Sequence, residues 1–259
     1  MDIATILGLI LGVGSLLLSF VMEGGHLSAL IQIPAMILVI FGTFGAAAIT
    51  TSVKQLLNLP TLIKVVMFEK KIDTQQLIEL IFDLSQKARK NGLLSLEREL
   101  ENIEEPFLKK AIQLAIDGFE TNKIREILEI EMSYIEERHK AGALFFGKLG
   151  GFSPTLGIMG TVLGLIHALG SMENSSNMAS AIAGAFIATL WGVALANLIY
   201  LPIADKLKAK HQDEAIYLEI ISEGIVSLAM GDNPRVIRMK LLSFPSGTLF
   251  VRDAGSPAF

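Results

Sequence analysis

Every lysine and arginine of this chain falls in one of two blocks, and that distribution constrains the fold more than any other feature. Fifteen lie between Lys54 and Lys148 and seven between Lys206 and Arg252, while the first 53 residues and residues 149–205 contain none. The two cation-free regions hold four apolar runs, 3–22, 27–53, 149–172 and 178–204, none with an Asp, Glu, Lys or Arg. A helix needs about 20 apolar residues to cross a bilayer core, and cations between spans stay on the cytoplasmic side. The expected fold is therefore an all-α integral membrane protein with four transmembrane helices and a helical cytoplasmic domain between spans two and three. Both termini are expected in the cytoplasm.

The pattern divides the chain into five parts. A hairpin of spans one and two covers 1–53, a cytoplasmic helical domain 54–148, and a hairpin of spans three and four 149–204. A helical extension follows over 205–240, then a tail at 241–259 rich in Ser, Gly and Pro that reads as disordered. Glu23-Gly24-Gly25-His26 and Glu173 to Asn177 form the two outward turns. Inside the domain, Asp73 is a candidate helix N-cap ahead of Leu77, Leu80, Ile81, Leu84 and Ala88 at helical spacing. Asn91-Gly92 reads as a stop, 96–103 as a short acidic helix, Pro106 as a helix start, and Asn122 as the cap of a long helix. Leu218, Ile221, Ile225 and Leu228 give the extension an apolar seam, closed by Gly231-Asp232-Asn233-Pro234.

Composition excludes several functions. Cysteine is absent, so disulfides, thiolate metal sites and thiol nucleophiles are ruled out, and the four histidines have no metal-binding spacing. No basic stretch is interleaved with aromatics, so nucleic acid is not expected as a partner. No phosphate-binding loop or catalytic constellation is visible, and the chain does not read as an enzyme. An ion conductor usually carries an intramembrane carboxylate. None is present here, so a partner must supply it, or hydroxyls and carbonyls must serve. His167, near the outer end of span three, reads as an interfacial histidine.

Spans three and four each carry a small-residue face. Gly157, Gly160, Thr161, Gly164 and Ala168 align on one, and Ala181, Ala185, Ala188, Thr189, Gly192 and Ala196 on the other. Packing of the two spans accounts for the glycines and alanines. Thr161 and Thr189 at similar depth point further, to a polar site facing a third helix, although a threonine can also satisfy itself on its own i−4 carbonyl. Pro154 and Pro202 mark the inner ends of these spans. In a regular helix they free the carbonyls of Gly150 and Leu198, which makes either a static kink or a coupling hinge. Gly8 and Gly12 are a weak helix-contact motif, and Trp191 has no evident role.

Two stretches tie these features to a known family. Pro154-Thr-Leu-Gly-Ile-Met-Gly-Thr-Val-Leu-Gly-Leu-Ile-His-Ala-Leu-Gly170, with Thr189-Leu-Trp-Gly192 and Pro202, resembles the third and fourth spans of the MotA/TolQ/ExbB family. Arg89-Lys-Asn-Gly-Leu-Leu-Ser-Leu-Glu97 resembles the rotor-contact segment of its flagellar stator branch, MotA. The resemblance covers roughly residues 1 to 240. It implies a stator subunit of the flagellar motor in the bacterial inner membrane, with five copies around two copies of a single-span MotB-type partner whose aspartate binds the ion. It implies that Arg89 and Glu97 touch the rotor protein FliG, that Pro154 and Pro202 couple ion flow to torque, and that Thr161 and Thr189 border the ion path. Sodium-driven members tend to have threonine at these two positions, so the resemblance leans to Na⁺ as the transported ion, with H⁺ as the alternative, and no cofactor is expected. The rival reading is a TolQ/ExbB-like energy transducer of the cell envelope, but those relatives have three spans, and the tight hairpin of 1–53 favours the stator. A self-contained solute transporter would show inverted repeats, which are not visible.

Overall fold

The computed structural model describes residues 3–68, 70–171, 175–245 and 248–251. It is helical apart from one two-stranded ribbon. The helices are α1 (Ile3–Met22), α2 (Ile33–Ile49), α3 (Val53–Leu57), α4 (Leu59–Met67), α5 (Thr74–Asn91), α6 (Pro106–Ile116), α7 (Thr121–Gly170), α8 (Ser175–Ala229) and α9 (Pro234–Leu241). Short 3₁₀ segments occupy Leu27–Leu30 and Leu93–Asn102. Single π turns interrupt α2 at Ile37–Phe41 and α8 at Ala196–Tyr200.

The chain separates into two compact units, Met1–Phe68 with Ala141–Leu207, and Glu69–Lys140 with Lys208–Ala258. The division differs from the one the charges draw. Residues 54–68 and 141–148 belong to the apolar unit, because α4 buries Leu62 and Val66 with Ala143, Phe146 and Leu149 in one cluster. Lys148 adds a polar tie there, its Nζ donating to the Thr50 carbonyl at 3.1 Å and lying 2.9 Å from the Thr50 hydroxyl. Within this unit α1 has no buried residue. The helices α1, α7 and α8 are long and apolar enough to cross a membrane, whereas α2 is a shorter apolar helix. The run expected over 27–53 is thus divided, because backbone at Ile31 and Gln32 leaves helical geometry before Pro34 enters the first turn of α2.

The second unit is a water-type core. Leu77, Ile81 and Leu84 of α5 pack with Leu96, Phe107, Leu108, Ile112, Ile124, Ile221 and Ile225. Leu80 is the exception to the predicted face, being 40% exposed. Asp73 caps α5 by accepting from the Gln75 amide at 2.9 Å, and Gly92, at φ +83°, ends it. Three sequence expectations change. Residues 93–102 are 3₁₀ rather than α-helical. Asn122 lies inside the first turn of α7, whose entry is closed by the Glu120 carbonyl, bonded to the Lys123 and Ile124 amides at 2.8 and 3.0 Å. The tail read as disordered contains a strand, Thr248–Val251, paired antiparallel with Lys70–Asp73. Thr-Leu-Phe-Val is a β-favouring run that the tail's Gly, Ser and Pro content concealed. Residues 173 and 174 of the second outward turn lie outside the described residues, and Ser175 to Asn177 already belong to α8.

Candidate functional site

The site grows from the seam between α7 and α8. A Cβ added to Gly157 would stand 2.9 Å from the Ala188 carbonyl oxygen, and one on Gly192 2.7 Å from the Ser153 carbonyl oxygen and 2.9 Å from Gly157 Cα. These obstacles are backbone atoms that no rotamer can move, so glycine is required for the two helices to touch. A Cβ on Gly164 would likewise lie 2.7 Å from the Ala185 Cβ and 3.0 Å from its Cα. The two predicted faces therefore pack on each other.

Close approach brings the two threonines together. The Thr161 and Thr189 hydroxyls form a hydrogen bond across the seam. Thr161 Oγ1 lies 3.0 Å from the Ala185 carbonyl oxygen and 3.2 Å from that of Gly157, whereas Thr189 Oγ1 is 3.5 Å from Gly157. Each hydroxyl has one proton and two lone pairs. The shortest consistent arrangement has Thr161 donating to Ala185 and Thr189 donating to Thr161. Both protons are then consumed internally, and the half-buried pair offers only lone pairs to its surroundings. Such a group can accept from a proton donor or ligate a hard cation. The third helix, α2, packs beside the seam, with Leu38 against Gly160 and Gly42 against Leu156. Thr43 of α2 is fully buried, and its hydroxyl has no hydrogen-bond partner among the described residues.

The prolines sit below this pair in different settings. Pro154 lies inside α7, directly after Ser153, whose fully buried hydroxyl donates to the Gly192 carbonyl at 2.9 Å. Gly150, whose carbonyl Pro154 leaves without a helical donor, packs so tightly on Leu201 that an added Cβ would lie 2.4 Å from it. Pro202 follows the π turn of α8. There the Leu201 amide bonds to the Ala196 carbonyl, five residues back, so Pro202 enters directly after a turn already wider than an α turn. A π turn admits one extra residue and absorbs a helix irregularity locally. The Asn197 side-chain Nδ2 donates to the Val193 carbonyl at 2.9 Å.

The other singled-out residues are scattered. Arg89, in the last turn of α5, and Glu97, in the 3₁₀ segment beyond Gly92, are both exposed and form no ion pair within the described residues. Their neighbours Lys87 and Glu99 pair at 2.8 Å. His167 is exposed, and of the G-x-x-x-G pair Gly12 meets Leu198 while Gly8 faces open space. Trp191, unassigned from sequence, donates its indole N–H to the Leu30 carbonyl at 2.8 Å. Its position on a small-residue helix two places after Thr189 was the only available signal. Among the described residues no group of three or more His, Asp or Glu could hold a metal ion.

The second unit has its own titratable groups. His139 Nδ1 lies 3.3 Å from a Glu214 carboxylate oxygen, and its ring meets His211 edge-on at 5.4 Å. Burial pushes the His211 imidazole below its ordinary range, with Glu136 opposing and Lys140 reinforcing the shift. Burial likewise raises the Glu105 carboxyl, although amides at the start of α6 oppose it.

Residues 6–92 match the family described as Motility protein A N-terminal, and residues 99–220 match the MotA/TolQ/ExbB proton channel family. Motility protein A of Bacillus subtilis is 38% identical over 245 residues, covering 94% of this chain and 91% of that protein. Chemotaxis protein PomA of Vibrio alginolyticus is 31% identical over 244 residues, covering 94% and 95%. The solved structure of C. jejuni MotAB aligns with TM-score 0.90 and 34% identity, covering 95% of this chain and 96% of that one. The flagellar MotAB stator complex from Bacillus subtilis aligns at 0.87 and 37%, covering 93% and 96%.

Proposed function

The chain belongs to the MotA/TolQ/ExbB proton channel family, and we infer that it is a stator subunit of the bacterial flagellar motor, coupling ion flow across the membrane to torque on the rotor. The observation that carries this is likeness along nearly the whole chain to motility proteins and to stator complexes, rather than to an isolated family segment. The envelope-transducer alternative draws no comparable support.

Four helices span the inner membrane with both termini inside, α2 being the short one. At about 1.5 Å per residue its helix is only about 25 Å long, and the bilayer or the adjoining 3₁₀ segment makes up the difference. Five copies surround two copies of a MotB-type partner, whose single span brings the aspartate that this chain lacks. Thr161 and Thr189 border the path. Each hydroxyl has lone pairs to offer as an acceptor, and two hydroxyl oxygens beside a carboxylate suit a partly dehydrated Na⁺. Pro154 and Pro202 transmit the resulting motion to the charged unit. The unpaired, exposed Arg89 and Glu97 meet FliG, where charged contacts steer repeated engagement without locking it.

The test is complementation. The chain, expressed with its single-span partner in cells lacking a stator, should restore swimming, and failure with both proteins present in the membrane would refute the assignment. Swimming speed is then measured against external sodium at constant proton-motive force; independence from sodium assigns H⁺ instead. Charge reversal at both Arg89 and Glu97 should impair torque with normal membrane insertion, and unchanged motility removes their rotor role.

A further inference from the structure

We propose that Trp191 is a positioning residue for the ion path. It pins the strap between α1 and α2 against the seam that holds Thr161 and Thr189. The strap, residues 27–32, ends its 3₁₀ turn at Leu30, and the chain is then extended at Ile31 and Gln32. The buried Leu30 carbonyl therefore lies outside any helical ladder, and the indole N–H of Trp191 bonds to it at 2.8 Å. The space beside the indole is a cavity of about 50 Å³ lined otherwise by apolar side chains such as Val13, Leu17 and Leu198. No competing acceptor lines that cavity, and a backbone carbonyl at membrane depth must find a donor.

Two residues further along the strap is Gln32. Its carboxamide oxygen lies 3.7 Å from where a Cβ on Gly184 would stand. Gly184 adjoins Ala185, whose carbonyl accepts from Thr161. The strap thus carries a half-buried amide to within one residue of the hydroxyl pair's acceptor, and that amide makes no hydrogen bond within the described residues. An unbonded amide packed on Gly184, the chain neighbour of that acceptor, is suited to hand a water or a hydrated cation toward the hydroxyl pair. Trp191 holds the strap that positions this amide and does not itself touch the ion.

This rests on Thr161 and Thr189 bordering the path, and the experiment separates the two ideas. Trp191→Phe keeps the ring and removes the donor. In complemented cells, the external concentration of the conducted ion that gives half-maximal speed should rise about threefold, the scale of one intramembrane hydrogen bond. Speed at saturating ion should change little, and the complex should remain abundant in the membrane. Gln32→Leu should shift the same parameter in the same direction, and the double variant should do no more than the larger single change. A half-maximal concentration unchanged in Trp191→Phe, or additive effects in the double variant, would overturn the proposal. So would a fall in speed explained wholly by less assembled complex. Thr161→Val is run alongside: if it too leaves ion dependence unchanged, the ion-path reading fails, whereas a shift there without one in Trp191→Phe sinks only the role of Trp191.

Discussion

The seam of α7 on α8 and the core of the second unit solve the same packing problem in opposite ways. The core is built from large side chains: Ile78, Ile81, Leu96, Leu108, Ile112 and Ile221 are each at most 2% exposed. The seam is built from the absence of side chains, with glycine backbone against glycine and alanine backbone, supplemented by three hydroxyls. The difference follows from the solvent. Water drives apolar side chains together at about 25 cal/mol per Å², so a helix surrounded by water gains by carrying leucine and isoleucine. Lipid tails are as apolar as leucine, so a helix in a bilayer gains nothing from that trade and relies on close contact and hydrogen bonds. A polar pair is therefore least out of place in the seam, where it also contributes to adhesion.

The largest expected effect comes from importing the core's solution into the seam. Gly192→Leu would drive a side chain into the Ser153 carbonyl and Gly157 Cα. Backbone cannot move aside as a rotamer can, and overpacking of this kind costs on the order of 3 kcal/mol or more. The pair should separate, Thr161 and Thr189 should lose each other, and swimming in complemented cells should stop. Gly192→Ala should already cut speed severely. Normal swimming in either variant would show that backbone contact does not set the seam.

The converse change is smaller. Ile221→Ala removes a fully buried side chain from the core of the second unit and should cost about 2–5 kcal/mol of that unit's stability. Urea or thermal melting of the full chain in detergent should show the transition of this unit moving down while the ion dependence of swimming at permissive temperature stays unchanged. A change in ion dependence would mean the two regions are not separable in this sense.

How far the sequence revealed these regions depends on the same physics. The core was legible because water imposes a period: Leu77, Ile81 and Leu84, and Leu218, Ile221, Ile225 and Leu228, stand out among polar neighbours and are buried. The small-residue faces were legible because glycine is conspicuous in an apolar run. What was hidden lacked periodicity. The π turn before Pro202 shifts a hydrogen-bond register without altering composition, so no residue pattern announces it. The indole of Trp191 bonds to a backbone carbonyl 161 positions away in sequence, and no side-chain pattern records a carbonyl. The ribbon strand Thr248–Val251 was masked by its flanks, and the division of 27–53 is set by the dihedral angles of two residues.

The smallest effect expected is a pH dependence confined to the second unit, and it sharpens the contrast because the seam's contacts are made by glycine, alanine and hydroxyls. Burial lowers the pKa of His211 in the folded chain, so between that depressed value and the ordinary imidazole value near 6.5 the unfolded chain binds more protons than the folded one. Stability then rises with pH across this window: the contribution is intact above about 6.5 and lost as pH falls toward the folded pKa. Because the ring is partly solvated and faces Glu136, Lys140, and His139 with its Glu214 partner, solvent screening keeps the effect below about 1 kcal/mol. His211→Gln should flatten the melting temperature of the second unit between pH 7 and 5.5 relative to the parent chain. A slope that survives the substitution unchanged would show that His211 does not set the pH dependence.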